Sequence, residues 1–275
     1  MTTIHPPSTR LPSAVAIGFA RGGIELRQFF RLKEQVVFTF AFPALILAVL
    51  GSVFRTGYED TGVSSSQVLT ASMVGAGIIA TSFVNLSVSV ALDRENGTLL
   101  RLRGTPMPVL SYFIGKIILV TVASLAEAAL VLAVGVTMFD LTLPTSVDRW
   151  LTFAWVFVLA VVSCSLIGIA VSSLAKSGES ATAVSQLPYV GLQFISGVYM
   201  TPITALPAGM VTVASFFPVK WACQGFRSVF LPDSMTKYEM AGTWELGKVA
   251  AVLGAWCVVG LVLCVLTFRW SNRKA

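Results

Sequence analysis

Six apolar stretches, each close to the length needed to cross a bilayer, constrain the fold of this chain more than any other feature. An α-helix needs roughly 20 mostly apolar residues to span the hydrocarbon core. The stretches cover residues 36–54, 68–92, 112–139, 150–174, 181–199 and 249–268. They predict an all-α integral membrane protein with six transmembrane helices, organised as a single transmembrane domain over residues 1–275.

The composition agrees with a membrane protein and excludes several functions. Charged residues make up 12% of the chain, whereas soluble domains carry about 25%. The single histidine, His5, and four separated cysteines lack the spacing of a zinc or haem site, so we expect no metal and no cofactor bound by this chain. We also expect no nucleic-acid partner, because the +6 net charge of a membrane protein points first to topology and lipid headgroups.

The distribution of lysine and arginine predicts the orientation. If both termini face the cytoplasm, 13 of the 19 basic residues lie on the cytoplasmic side and six lie outside. Cytoplasmic loops of membrane proteins carry an excess of basic residues. We therefore expect a multi-pass protein of the cytoplasmic membrane with cytoplasmic N and C termini.

The segment before the first stretch, residues 12–34, is too polar to span the bilayer. As a helix it would place its polar residues Arg21 and Glu25 opposite an apolar face formed by Phe19, Gly23, Leu26 and Phe30. This pattern is typical of an amphipathic helix that lies at the headgroup level, with its basic residues meeting anionic lipid. A basic juxtamembrane linker is the alternative.

Residues 201–246, between the fifth and sixth stretches, are rich in aromatic residues and interrupted by four prolines. Irregular backbone at membrane depth must be buried in protein or line a cavity. The segment therefore predicts short re-entrant or interfacial helices on the outer side of the membrane. A seventh hydrophobic segment is the alternative.

The turn after the second stretch, residues 93–108, is a candidate for contact with a partner. Residues 98–103 could form a short helix that Gly104 and Pro106 end, with Glu95 stabilising its start. Leu99 and Leu102 would then share an apolar face with arginines on both sides. Such a helix would dock on a cytoplasmic partner, and an ordered loop is the alternative.

The same turn carries a family resemblance. The order Glu95-x-Gly97-Thr98-Leu99, followed by Thr105-Pro106 and a third span, resembles the cytoplasmic signature of ABC-2-type transporter permeases. Residues 197–202 and the pair Phe217-Pro218 are similar to that family's region between the fifth and sixth spans. The resemblance implies a drug- or antibiotic-exporter-like subunit of a type II ABC exporter, whose coupling helix contacts an ABC ATPase. The residues it assigns to ATPase coupling are Glu95, Gly97, Thr98, Leu99, Arg101, Leu102 and Arg103.

ATP binding is expected in a separate protein. A P-loop needs Gly-x-x-x-x-Gly-Lys-[Ser/Thr] to hold phosphates, but Gly115-Lys116 precedes Ile117 and Gly247-Lys248 precedes Val249. We therefore expect this chain not to be an enzyme, and expect ATP and Mg²⁺ to bind partner ATPase subunits. Six spans would form half of a transmembrane unit, so a second permease chain, identical or related, is the other expected partner.

Polar residues recur at helical spacing in two of the predicted spans. They are Ser82, Asn85 and Ser89 in the second, and Gln186, Tyr189 and Gln193 in the fifth. Such groups are costly against lipid and should face protein or water. We predict that they line a substrate path, and the resemblance places these two spans at a dimer interface. Hydrogen bonding between helices is the alternative.

Two ionisable residues fall in the third stretch. Glu127 is the only acid well inside a predicted span, which makes it a candidate proton relay or substrate counter-ion, with a structural role as the alternative. Lys116 lies at the inner end of the same stretch, where its side chain is expected to extend towards the headgroups.

Together these expectations describe an ATP-driven exporter that moves an amphipathic drug-like or lipid-like cargo outward. Export of a glycan-lipid or polysaccharide is an alternative with the same topology. A proton-coupled carrier that uses Glu127 is the alternative from another class. An intramembrane enzyme is disfavoured, because the spans contain no histidine, paired acids or nucleophile and base.

Overall fold

The computed structural model describes residues 13–54, 56–200 and 202–268. Its α-helices are α1 (Ala14–Arg31), α2 (Lys33–Val53), α3 (Ser65–Ile79), α4 (Leu86–Glu95), α5 (Thr98–Arg103), α6 (Val109–Phe139), α7 (Val147–Ser172), α8 (Gly178–Ile195), α9 (Ala208–Ser215), α10 (Pro218–Phe230) and α11 (Leu246–Thr267). A two-stranded antiparallel hairpin joins β1 (Gly57–Tyr58) to β2 (Val63–Ser64). Several residues used in the sequence analysis lie outside the described residues: His5, the first residues of two predicted segments (Pro12 and Thr201), and five of the 19 basic residues (Arg10, Arg55, Arg269, Arg273 and Lys274).

Within the described ranges, five helical segments are long and apolar enough to cross a membrane. They are α2, the continuous segment Ser65–Glu95, α6, α7 and α11. The chain is therefore an all-α membrane protein apart from its short hairpin. Helix α8 lies at the fifth predicted stretch but does not belong to this group, and its role as a sixth span stays a prediction.

The segment Ser65–Glu95 changes its hydrogen bonding midway. Helix α3 ends at Ile79, a π-helical turn covers Ala80–Asn85, and α4 continues from Leu86. A π-helical turn rotates the residues after it relative to those before it. Gly168 of α7 packs against this turn, since a Cβ on Gly168 would lie 2.6 Å from the carbonyl oxygen of Phe83. The glycine therefore brings α7 into contact with the widened turn.

Helix α10 occupies the core although it is part of the segment predicted between the last two spans. All of its residues are buried, and it packs against α3, α7 and α11. Gly75 of α3 permits the close approach, because a Cβ there would lie 3.1 Å from the Cα of Cys223. Helix α10 is thus enclosed by protein, as irregular or short elements at membrane depth require; its re-entrant insertion from outside stays a prediction.

Contacts between connecting segments define two ends of the bundle, which we name after the predicted orientation. The inner end contains α1, α5, the start of α6 and the connection from α7 to α8. The outer end contains the hairpin, the connection from α6 to α7 and residues 231–246. At the outer end, Gln67 Nε2 donates to the carbonyl of Asp140 (3.0 Å) and Lys237 Nζ donates to that of Glu59 (3.0 Å).

Candidate functional site

Helix α5 follows α4 after two residues and folds back against it. The chain enters α5 through Gly97, whose φ of 70° lies in the left-handed region that glycine adopts without strain. Because of this reversal, Leu99 packs against its own chain and is 0% exposed, whereas Leu100 is 51% exposed. We expected Leu99 and Leu102 to form the exposed apolar face. That expectation is corrected: Leu102 is half-buried and the exposed leucine is Leu100.

The remaining residues of the predicted coupling set lie around α5. Arg101 and Arg103 are exposed, and Thr98 and Gly97 are half-buried. The exposed surface of α5 therefore combines one leucine with two guanidinium groups. These residues are available to a partner, and their coupling role stays a prediction.

Glu95 stabilises the start of a different helix from the one expected. Its Oε2 accepts a hydrogen bond from the backbone N–H of Gly178 at 2.8 Å, and Gly178 is the first residue of α8. A carboxylate is favourable at a helix N-terminus, where backbone N–H groups lack partners within the helix. Glu95 thus connects the turn before α5 to the start of α8, and not to the start of α5.

A buried ion cluster joins three helices at the inner end. Lys116 of α6 is 1% exposed, and its Nζ lies 2.9 Å from Glu25 Oε2 of α1 and 2.7 Å from Asp93 Oδ2 of α4. Arg21 also pairs with Glu25 at 2.7 Å, and Lys116 donates to Ser89 Oγ at 2.8 Å. Two carboxylates therefore face two cations, and Lys116 does not extend towards the headgroups as the sequence suggested.

Helix α1 reaches this cluster because glycines line its contact with α6. A Cβ on Gly18 would lie 2.6 Å from Ile114, and one on Gly22 would lie 2.9 Å from Ile118. This approach buries Glu25, which we had placed on the polar face opposite the apolar one. Phe19 and Phe30 of the predicted apolar face of α1 point away from the bundle, at 64% and 50% exposure, so it is the opposite face that contacts α6.

The polar residues predicted along the second span contact different partners. Ser82 is buried and donates to the carbonyl of Ile78 within its own helix. Asn85 lies 3.5 Å from Thr39 of α2, and Ser89 belongs to the ion cluster. The π-helical turn, which contains Ser82 and Asn85, changes the spacing that placed these residues and Ser89 on one face of a regular helix. The structure does not bring these three side chains together, and their place on a substrate path stays a prediction.

One of the three polar residues predicted in α8 holds it against α3. Tyr189 donates its hydroxyl hydrogen to the carbonyl of Ala76 at 2.7 Å. Gln193 donates to the Tyr189 hydroxyl and accepts from the Tyr199 hydroxyl. Gln186 lies on the exposed side of the helix. Hydrogen bonding between helices, the alternative we gave, accounts for Tyr189. Gln193 bonds within its own helix and to the segment that follows it, and of the three only Gln186 is presented outward.

Glu127 faces the middle of the second spanning segment. The hydroxyl of Thr81, in the π-helical turn, donates to Glu127 Oε2 at 2.6 Å. Gly77 makes room for the carboxyl group, because a Cβ there would lie 2.6 Å from Oε1. Within the described ranges, no ion pair includes Glu127, and no group of three or more His, Cys, Asp or Glu residues is placed to hold a metal ion.

A second buried ion pair, which sequence reasoning missed, lies towards the outer end. Arg227 of α10 makes two contacts with the Glu239 carboxylate, at 2.6 and 3.1 Å, and donates to Ser72 Oγ of α3 at 3.2 Å. Burial alone lowers the pKa of the Arg227 guanidinium, but the Glu239 carboxylate outweighs it and raises that pKa above its usual value. The pair fixes the segment after α10 to the core.

The sequence profile of the ABC-2 type transporter family matches residues 23–231, which include α5, α10 and the ion cluster except Arg21. The chain belongs to the ABC-2 type transporter family. It is similar to the "Probable multidrug ABC transporter permease YbhR" of Escherichia coli strain K12 and to the protein of the same name from Escherichia coli O157:H7, at 25% identity over 174 residues in each case. The similar region covers 62% of this chain and 45% of each relative. The chain thus spans about half the length of the curated relatives it matches.

The ABC-2 family match agrees with the helices that the structure describes. A multi-pass membrane protein of this family accounts for the five apolar helical segments. The match also includes Asp93, Arg94 and Lys116, which sequence reasoning did not select as site residues. For Asp93 and Arg94 the sequence did contain a signal: together with Glu95 they form three consecutive charged residues directly after an apolar span.

Proposed function

We propose that this chain is the transmembrane permease subunit of an ATP-driven ABC exporter in the cytoplasmic membrane. Its partners are ABC ATPase subunits and a second permease chain. The observation that carries the proposal is the ABC-2 family match over residues 23–231. The sequence itself contains no P-loop pattern, so the ATP and Mg²⁺ that drive transport bind the ATPase partner.

The ATPase docks on α5 in this proposal. Leu100 supplies apolar area, and Arg101 and Arg103 supply positive charge on either side of it. Burying a leucine side chain contributes roughly 1.5–3 kcal/mol, and charge complementarity sets the register of an interface. A cleft with an apolar floor and acidic edges on the ATPase fits this surface.

The second permease chain packs against the exposed side of α8. This side contains Gln186 together with Leu187, which is 79% exposed. A polar amide is costly against lipid, and a neighbouring chain or a water-filled path between two chains would satisfy it. Of the residues predicted to line a substrate path in α8, Gln186 would then lie at the contact between the two chains, whereas Tyr189 and Gln193 are buried inside the chain.

The cargo we propose is amphipathic, drug-like or lipid-like, and moves outward. The relatives are named as multidrug permeases, and the described spans contain few charged groups that a strongly polar cargo would need. Transport of a glycan-lipid or polysaccharide uses the same topology and is the alternative. Transport assays with a panel of cargoes distinguish the two.

The proposal is tested first by partnership. Purified from native membranes with a tag, the chain should carry an ABC ATPase subunit with a P-loop, and the complex should hydrolyse ATP. The chain stripped of that subunit should show no hydrolysis. Hydrolysis by the stripped chain, or a native complex without any ABC ATPase, would contradict the proposal.

A further inference from the structure

Three consecutive residues at the end of α4 contact three different helices. Each contact uses a side chain of residues 93–95 and a separate partner element. The contacts are Asp93 Oδ2 with Lys116 Nζ of α6 (2.7 Å), Arg94 Nη1 with the carbonyl of Ser172 of α7 (2.7 Å), and Glu95 Oε2 with the N–H of Gly178 of α8 (2.8 Å).

The charges of Arg94 and Glu95 match the helix ends that they contact. Ser172 is the last residue of α7, where unpaired carbonyl groups carry partial negative charge, and Arg94 donates both to its carbonyl and to its Oγ (3.3 Å). Gly178 is the first residue of α8, where unpaired N–H groups carry partial positive charge. Adjacent side chains of opposite charge therefore hold both ends of the short connection between α7 and α8.

Asp93 extends the same set of contacts to α6 and α1. It shares the buried Lys116 ammonium with Glu25 of α1 and also accepts a hydrogen bond from the Tyr112 hydroxyl at 2.8 Å. Separating such a pair would leave a charge buried without its partner, which is strongly unfavourable. The contact between Asp93 and Lys116 is therefore a stable link between α4 and α6, unlike an ion pair on the protein surface.

We infer that residues 93–95 form a three-way joint that converts a displacement of α5 into a concerted movement of α6, α7 and α8. Only Asn96 and Gly97 separate Glu95 from α5, so a force on α5 reaches the joint directly. The inference rests on the proposed function, because the displacement comes from an ATPase docked on α5. Asp93, Arg94 and Glu95 are positioning residues: they act through the helices and touch neither nucleotide nor cargo.

A matched pair of variants tests the link to α8. In Glu95→Gln the amide oxygen still accepts from the Gly178 N–H, whereas Glu95→Ala removes the acceptor. Both are purified as the complete complex with the ATPase and reconstituted in liposomes, and the amount of an amphipathic dye transported per ATP hydrolysed is measured. We expect Glu95→Ala to lower this ratio by about tenfold with ATP hydrolysis retained, and Glu95→Gln to stay near wild type.

A second readout separates coupling from stability. Hydrogen exchange of α8 is compared with and without a non-hydrolysable ATP analogue bound to the complex. Wild type and Glu95→Gln should show a nucleotide-dependent change in α8, and Glu95→Ala should lose that change. Asp140→Asn, which removes an exposed carboxylate at the outer end of α6, is the charge-matched control and should behave as wild type.

The outcomes distinguish the joint from the proposed function. If the wild-type complex shows no ATP-dependent transport, the proposed function fails. If wild type transports and Glu95→Ala keeps both its transport ratio and its nucleotide-dependent exchange, the joint is wrong. Should Glu95→Ala not assemble, the pair Arg94→Lys and Arg94→Met gives the same comparison at α7, since lysine can still donate to the Ser172 carbonyl. Equal coupling in both Arg94 variants would then overturn the joint.

Discussion

Among single residues, Lys116 differs most between the environment expected from its place in the sequence and the environment that it has in the structure. The sequence places it at the inner end of an apolar span, where a lysine usually reaches towards water. In the structure its ammonium is buried between Glu25 and Asp93. Neither carboxylate is near Lys116 in sequence, so the cluster depends on how α1 and α4 pack against α6. The glycines of α1 make that packing possible.

Replacing this ammonium should destabilise the protein. Lys116→Met leaves two carboxylates at a site where only Arg21 remains, and removing one partner of a buried ion pair costs about 3–5 kcal/mol. We expect a clear fall in the thermal unfolding temperature of the detergent-solubilised protein. Lys33→Met, at an exposed lysine, is the control and should melt like wild type. Equal melting of the two variants would show that the cluster is not a stabilising link.

Among the elements, α5 places a buried leucine directly before an exposed one. Leu99 packs against its own chain and Leu100 points away from it. We expect Leu100→Asp to reach normal membrane levels but to lose the ATPase on purification, because it sets a charge against the partner's apolar surface. Leu99→Asp buries a charge in its own chain and should lower the amount of folded protein.

The measurement is the amount of each variant in membranes and the ATPase retained per permease chain. Arg101→Asp, on the same exposed surface, should weaken retention by the loss of charge complementarity. Full retention of the ATPase by Leu100→Asp would place the docking surface elsewhere, with α1 as the next candidate.

The elements also show which features of the fold could be predicted from the sequence and which could not. Apolar length predicted helices where α6 and α11 lie, because lipid requires an uninterrupted apolar helix. Helical spacing could not reveal which side of α1 is buried, since its contact surface is built from glycines and not from apolar side chains. It also failed for Ser82 and Ser89, because Ser82 lies in a π-helical turn that breaks the 3.6-residue period before Ser89. Leu99 was misplaced for a related reason, as the reversal at Gly97 sets which side of α5 faces the chain.

For the whole molecule, the two ends of the bundle should lie on opposite sides of the membrane. In the described part of the chain, nine basic residues lie at the inner end or in α1, and five lie towards the outer end. Single cysteines at Arg101 and at Thr145, both exposed, should react with a membrane-impermeant reagent from opposite sides, with Thr145 labelled from outside. Labelling of both from one side would contradict the topology. The native Cys164, Cys223 and Cys264 are buried and Cys257 is half-buried, so the protein without added cysteines is labelled in parallel to give the background.

The most direct test of the account is ATP-driven transport by the reconstituted complex. Proteoliposomes containing the permease and its ATPase should move an amphipathic dye away from the side of the ATPase when ATP is supplied there. Transport should cease with an ATPase subunit that binds but does not hydrolyse ATP, and a proton gradient should not replace ATP. Glu127→Gln, which keeps an acceptor for Thr81, should transport at a rate near wild type. Transport driven by a proton gradient without ATP, and lost in Glu127→Gln, would contradict the account and identify a proton-coupled carrier.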